Sequence, residues 1–224
     1  DAAKLTGNRP VFDITVSYRK NGKTEIVSNF GKGMVTSGID YKFPTPAFTD
    51  TDTHWAKDSI DFVASRGLIS GTTETTFSPN AAITRADFLM ALGRLSGADV
   101  SIYGQSSFAD VNAADTAMPY IEWAVKSKIV SGYGSGEFGP KDPITREQMS
   151  VMMQNYAKAT GYELPTSAAP VIFSDNTKIS AYAREAVKVI QQAGIIRGRG
   201  SNTFDPQAGA TRGEACTILR RLVE

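Results

Sequence analysis

One cysteine and one histidine in 224 residues remove several kinds of chemistry at the outset. Cys216 alone cannot form an intrachain disulfide or build a cysteine-rich zinc site. With His54 as the only imidazole, histidine metal clusters and Ser–His catalysis have little to build on. No apolar run reaches the roughly 18 residues of a membrane-spanning helix, so membrane insertion is not expected. A basic start leading into an apolar core, the mark of a signal peptide, is missing too. The chain opens at Asp1 without methionine and is read as an internal or processed piece. Also lacking is a basic field. Residues 1–46 hold seven Lys/Arg against four Asp/Glu, but the remainder holds 17 against 19. Nucleic-acid binders carry a basic face or stripe, so no nucleic-acid partner is expected.

What the chain does have is a pattern that occurs three times. The first copy runs from Phe48 through Phe77-Ser78-Pro79 to Ile83-Thr84-Arg85-Ala86-Asp87. The second runs from Phe108 through Phe138-Gly139-Pro140 to Ile144-Thr145-Arg146-Glu147-Gln148. The third runs from Phe173 through Phe204-Asp205-Pro206 to Ala210-Thr211-Arg212-Gly213-Glu214. Gly71, Gly132 and Gly198 each precede the Thr-Arg pair by 13 residues, with a Phe six and a Pro eight residues after the glycine. The Thr-Arg pairs lie 61 and 66 residues apart, so length varies only between the constant blocks, as loops allow.

Each copy reads as helix, glycine-containing turn, short extended piece, helix. The first helices, about 56–66, 117–128 and 180–193, carry apolar stripes at Ile60/Val63, Ile121/Ala124 and Val187/Ile190. Gly67 and Gly194 suit a left-handed helix end, and Lys128 departs from that. In the second helices Thr84, Thr145 and Thr211 are natural N-caps, with Asp87, Gln148 and Glu214 three residues on, as in a capping box. Behind the caps, Phe88/Ala91/Leu92/Leu95, Met149/Met152/Met153/Tyr156 and Ala215/Ile218/Leu219/Leu222 occupy one face. The expected fold is mainly α: three helix-loop-helix repeats whose second helices pack in a pseudo-threefold bundle, with the first helices around them. Repeat boundaries are expected at 47–98, 107–161 and 172–224.

Residues 1–46 read differently. Val11–Tyr18 and Lys23–Val27 mix β-branched and aromatic residues around Asn21-Gly22, a strong hairpin turn, and Phe43-Pro44-Thr45-Pro46 suits a linker. A short β-hairpin segment, the end of a preceding domain, is expected there.

Arg85, Arg146 and Arg212 stand at the first position of their helices, where a cation meets the positive helix end at a cost of roughly 0.3–1 kcal/mol. Three such placements point to something negative nearby. Free helix-start N–H groups favour an anion, and a guanidinium adds a planar fork for a carboxylate or phosphate. The structural alternative is an Arg that pairs with a neighbouring repeat's Asp or Glu and braces the bundle. Gly71, Gly132 and Gly198 suit either a close ligand approach or a plain turn.

The Phe-x-Asp start, the Trp55-Ala56 helix start, the glycine turn, the Phe-x-Pro step and the Thr-Arg block together resemble the S-layer homology domain, over residues 48–224. That resemblance implies a three-lobed helical module at the outer surface of a bacterium. It implies a secondary cell-wall polysaccharide with a pyruvylated amino sugar as partner. Its role would be to tether an S-layer protein or exoenzyme. It also implies that Arg85, Arg146 and Arg212 meet the charged sugar in grooves between lobes. The copies end in Ala86-Asp87, Glu147-Gln148 and Gly213-Glu214 where the family has Ala-Glu, and Glu147 is expected to weaken the second site by partly neutralising Arg146. The family's helix-start Trp is Trp55, then Thr116, then Tyr182; Trp55 and Tyr182 are sugar-stacking candidates, and Trp123 reads as packing.

Two other functions are weighed. Asp50/Asp52 and Asp110/Asp115 are pairs a glycosidase would need, but acids at repeat starts serve turns, and no enzyme or cofactor is expected. A self-assembly module of a surface layer, with no direct glycan site, is the structural alternative, and self-association through a parent protein is compatible with anchoring. Calcium takes about six to eight oxygen ligands, more than any one start offers, so no metal is expected.

Overall fold

In each repeat, hydrophobic spacing and a threonine cap produce a short helix followed by a longer one. The computed structural model describes residues 46–223 and, before them, the backbone of four short strands. The first helices are α1 (Lys57–Ser65), α3 (Met118–Lys126) and α5 (Arg184–Gln192). The second are α2 (Arg85–Ser96), α4 (Arg146–Thr160) and α6 (Arg212–Val223). Strands β1 (Lys4–Thr6) and β2 (Arg9–Val11) pair antiparallel, as do β3 (Thr15–Lys20) and β4 (Lys23–Ser28). The expected turn at Asn21-Gly22 and the linker at Phe43-Pro44-Thr45 lie outside the described residues. The described molecule from residue 46 onward is mainly helical.

The second helices start where their caps require. Thr84, Thr145 and Thr211 side chains accept from the N–H of Asp87, Gln148 and Glu214 at 3.0, 3.3 and 3.2 Å. Gln148 and Glu214 return the bond to the cap N–H, at 3.2 and 2.9 Å. Asp87 is one methylene shorter, and no return bond forms there among the described residues. The left-handed helix ends are also as spaced: Gly67 at φ 65° and Gly194 at 73°, and Lys128 adopts the same conformation, at 59°, despite its side chain.

Helix pairing differs from the expected bundle. α1 packs on α6, α3 on α2 and α5 on α4, while α2 and α4 touch more lightly. Each first helix therefore leans on the second helix of the preceding repeat, and α1 on α6 brings the two ends of the repeat array together. The stripes Ile60/Val63, Ile121/Ala124 and Val187/Ile190 are buried in these pairings. Second-helix faces are buried with them apart from the half-buried Leu95, each large buried side chain contributing about 1.5–3 kcal/mol.

The second helices are linked through the extended residues just before them. Ile83 N donates to Ala210 O, Ala210 N to Ile144 O, and Ile144 N to Ile83 O, each at 3.0 Å, closing a cycle of three bonds. Phe77, Phe138 and Phe204 are fully buried, each tilted against its repeat's opening Phe48, Phe108 or Phe173 with centroids 5.3–5.5 Å apart.

Candidate functional site

The helix-start N–H groups, expected to be free for an anion, are already occupied. Arg85 N and Ala86 N donate to the carbonyls of Asp142 and Pro140; Arg146 N and Glu147 N donate to Ala208 and Pro206; Arg212 N and Gly213 N donate to Ala81 and Pro79. The next repeat's Phe-x-Pro step thus caps each helix. What the helix start can still offer a ligand is the arginine side chain.

Those side chains are buried at the junctions between repeats. Arg85, Arg146 and Arg212 are 4%, 3% and 7% exposed. Each Nε donates to the carbonyl of the next repeat's buried Phe: Arg85 to Phe138 at 3.1 Å, Arg146 to Phe204 at 2.7 Å, Arg212 to Phe77 at 2.9 Å. Each guanidinium carbon lies over that same ring, at 4.9, 5.0 and 4.6 Å from its centroid. Burial lowers the pKa of all three below the ordinary value, opposed by nearby acids such as Asp142, Glu214 and Asp87. An arginine remains a cation under any such shift.

Beyond the shared bond to Phe the three diverge. Arg146 also donates through Nη2 to Arg197 O at 2.8 Å, and its Nη1 lies 3.6 Å from Glu214 Oε1. Arg199 grips the same Glu214 through Nη2, at 2.7 and 2.9 Å from the two oxygens. Arg212 donates through Nη2 to Ser70 O. Arg85 has Tyr133 over it instead, with 4.6 Å from the guanidinium carbon to the ring centroid.

Glu147, expected to neutralise Arg146, turns elsewhere. Its carboxylate accepts from Ser180 N and Oγ, from the Tyr182 hydroxyl at 3.0 Å and from Gln207. The acid that answers Arg146 is Glu214, a capping-box residue of the third repeat. Sequence spacing carries no trace of this, because the pairing is made between repeats.

Trp55 and Tyr182 face solvent, 65% and 60% exposed, with Trp55 tilted against His54 at 5.3 Å. Trp123 packs against the core beside Gly93. The glycines at 71, 132 and 198 are approached by their own repeat. A Cβ on Gly71 would stand 2.5 Å from the Phe48 ring, one on Gly198 2.8 Å from the Phe173 ring, and one on Gly132 would collide with Phe108. Tyr133 and Asp142 were not singled out by sequence reasoning. The signal available was position: Tyr133 directly follows an invariant repeat glycine, where the other copies have Thr72 and Arg199.

The repeat-start acids have structural work. Asp50 accepts from Phe77 N and Ser78 N, Asp110 from Phe138 N and Gly139 N, and Asp175 from Phe204 N and Asp205 N, at 2.7–2.8 Å. Among the described residues no group of three or more His, Cys, Asp or Glu is placed to hold a metal ion. No helix of the described residues is long and apolar enough to cross a membrane.

Three cyclically linked repeats, each with a capped Thr-Arg helix start, define one repeated helical module, and the family model for the S-layer homology domain matches residues 47–89, 107–150 and 172–216. The chain belongs to the S-layer homology domain family. It is 38% identical over 178 residues to an amylopullulanase of Thermoanaerobacterium thermosulfurigenes, covering 79% of this chain and 9% of that protein. It is 37% identical over 201 residues to exoglucanase XynX of Acetivibrio thermocellus, covering 88% of this chain and 18% of that protein. A cellulosome-anchoring protein of the same species is 26% identical over 151 residues, covering 66% of this chain and 33% of that protein. The chain thus spans less than a fifth of the first two relatives, whose enzymatic names belong to proteins many times longer than the shared stretch. It is a cell-surface anchoring module, located outside the cell on a bacterial surface.

Proposed function

We infer that this module holds its parent protein non-covalently on an acidic secondary cell-wall polysaccharide, one carrying a pyruvylated amino sugar. The parent is then an S-layer protein or an exoenzyme. The observation that carries this reading is the recurrence of one buried arginine at three junctions between repeats, with exposed aromatic rings at Trp55, Tyr133 and Tyr182 for sugar contact. A pyruvate ketal presents one carboxylate on a rigid ring, which suits a planar guanidinium fork. Arg85, Arg146 and Arg212 are the three candidates to meet it. The cycle of bonds through Ile83, Ile144 and Ala210 supports an arrangement of the repeats about a pseudo-threefold axis, with one groove per junction.

Co-sedimentation with purified cell walls tests the reading, comparing walls that keep the polysaccharide with walls chemically stripped of it. Binding to intact walls alone is the expected result. Equal binding to both would replace the polysaccharide with peptidoglycan as receptor, and binding to neither would remove the anchoring site and favour self-assembly.

A further inference from the structure

The seam where α1 lies on α6 carries cations that the other seams lack. Arg66 directly follows α1, and its guanidinium carbon lies 3.6 Å from the centroid of the Phe62 ring. Arg220 reaches the same ring from α6, at 5.6 Å. Arg94, in the last turn of α2, donates through Nη1 to Leu68 O, two residues beyond Arg66, at 3.0 Å. Arg221 donates through Nη1 to Ile195 O at 3.3 Å, and Arg197 stands within electrostatic reach of it. Five arginines therefore follow one another across the closing seam, in the order Arg94, Arg66, Arg220, Arg221, Arg197. Arg66, Arg94 and Arg197 are exposed, and Arg220 and Arg221 are half-buried. The even balance of charge after residue 46 conceals this local excess.

Arg94 and Arg221 have a duty inside their repeats, which Asn155 performs in the second repeat by donating to Ile129 O at 3.1 Å. Arg66 also donates to Phe62 O at 3.0 Å, at the end of its own helix. Yet the repeat does not need a cation at three of the five positions. Counted from the repeat glycine, Arg66 corresponds to Ser127 and Ala193, and Arg197 to Ser70 and Ser131. Counted from the capping threonine, Arg220 corresponds to Gly93 and Gln154. The sister copies thus build the same helix ends without these charges, and complementing a helix dipole does not account for them. Crowding them has a cost. Burial lowers the pKa of Arg221 below the ordinary value, and the neighbouring Arg197 lowers it further. A polyanion laid along the row would relieve that repulsion and release counterions of its own.

We propose that this arginine row is a second contact with the bacterial envelope, made with a wall polymer whose units are joined by phosphodiesters. Such a chain carries a charge at every unit and so matches closely set cations, whereas a sugar chain with occasional acid groups meets few of them. Guanidinium forks suit its phosphate oxygens. The surface location of the module puts a wall polymer within reach. None of the five is a helix-start arginine, so the row stands apart from the junctions of Arg85, Arg146 and Arg212.

Titration of the whole chain against fluorescent poly(glycerol phosphate) at low salt tests this, with melting temperature as the control for folding. The unaltered chain should bind, with affinity falling steeply as salt rises. Arg66→Ser combined with Arg197→Ser installs residue types that the sister copies carry, and should weaken binding about tenfold or more without unfolding the protein. Arg197→Ser alone alters one exposed side chain and should weaken binding about threefold, which keeps the row testable if the double variant folds poorly. Lys126→Gln combined with Lys158→Gln removes the same charge from the second repeat and should weaken binding less than Arg197→Ser alone. Polygalacturonate, with a carboxylate on every unit, should bind more weakly than the phosphate polymer. Absence of binding by the unaltered chain, or equal losses in the two double variants, overturns the row as a contact. Polygalacturonate binding as tight as that of the phosphate polymer overturns the phosphodiester assignment. Each of these results leaves the sugar site untouched, because that reading stands or falls on co-sedimentation with intact and stripped walls.

Discussion

Arg212 Nε donates to the carbonyl of Phe77 at 2.9 Å, so the last helix of the chain holds the first repeat. Arg212 N and Gly213 N reach Ala81 and Pro79 in the same repeat, and α1 lies on α6. The cycle of repeats is closed at this junction.

Arg212→Met keeps the side-chain stem and removes the guanidinium, leaving the carbonyls of Phe77 and Ser70 without their donor. The carbonyl of the fully buried Phe77 costs about 1–3 kcal/mol once orphaned, whereas Ser70 is exposed and its carbonyl can turn to water. Urea unfolding should show a loss of about 1–3 kcal/mol. A change smaller than about 0.5 kcal/mol would mean that closure rests on the helix contact alone.

Asp50, Asp110 and Asp175 predict an acid limb of stability. Burial opposes their charge, but the two backbone N–H bonds on each outweigh it, and each carboxyl lies below the ordinary 3.8. A folded pKa below the unfolded one makes the contribution complete above the ordinary carboxylate value and lost as pH falls from there through the folded value. Melting temperature should fall below about pH 4, and the combined Asp50→Asn, Asp110→Asn, Asp175→Asn variant should show a lower plateau at neutral pH with a shallower acid limb. An unchanged limb would assign it to other carboxylates.

Lys128 occupies a left-handed position that its sister repeats fill with Gly67 and Gly194. Its side chain is exposed, so little packing is at stake. Lys128→Gly should stabilise the fold by about 0.5–1 kcal/mol, relief of backbone strain exceeding the added flexibility of the unfolded chain. A lower urea midpoint would show that the lysine makes a contact worth more than the strain.

Cys216 is fully buried, and burial pushes its thiol up to about 12, against a small opposing pull from Arg212. Only the thiolate reacts readily. A disulfide reagent at pH 8 should therefore label the native protein no faster than it unfolds, with the rate rising steeply in urea. Prompt labelling of native protein would place the thiol at an accessible surface.

The local half of this architecture was legible in the residues. Thr84, Thr145 and Thr211 cap the helices they announce, and Phe88, Met149 and Ala215 head the faces that are buried. These features depend on neighbours three or four positions apart, so spacing alone encodes them. Lys128 shows the reverse: composition argued against a left-handed residue, and the repeat geometry imposed one.

The candidate site was legible as a set of three arginines and not as three different environments. Helix-start N–H groups look open in the sequence because their partners, the carbonyls after Phe77, Phe138 and Phe204, belong to another repeat. Glu214 reads as a capping acid and also serves as the counter-ion of Arg146.

By itself, then, the sequence determined the repeat, its caps, its apolar faces and the arginine at each helix start. Tertiary structure decided which helix leans on which, that the helix starts are capped from the next repeat, and that among the described residues Arg85 is hydrogen-bonded through Nε alone where Arg146 is engaged at all three nitrogens. The reason is range. Helix and cap are written in spacings of three and four residues, whereas the state of each guanidinium depends on groups brought together only when the cycle closes.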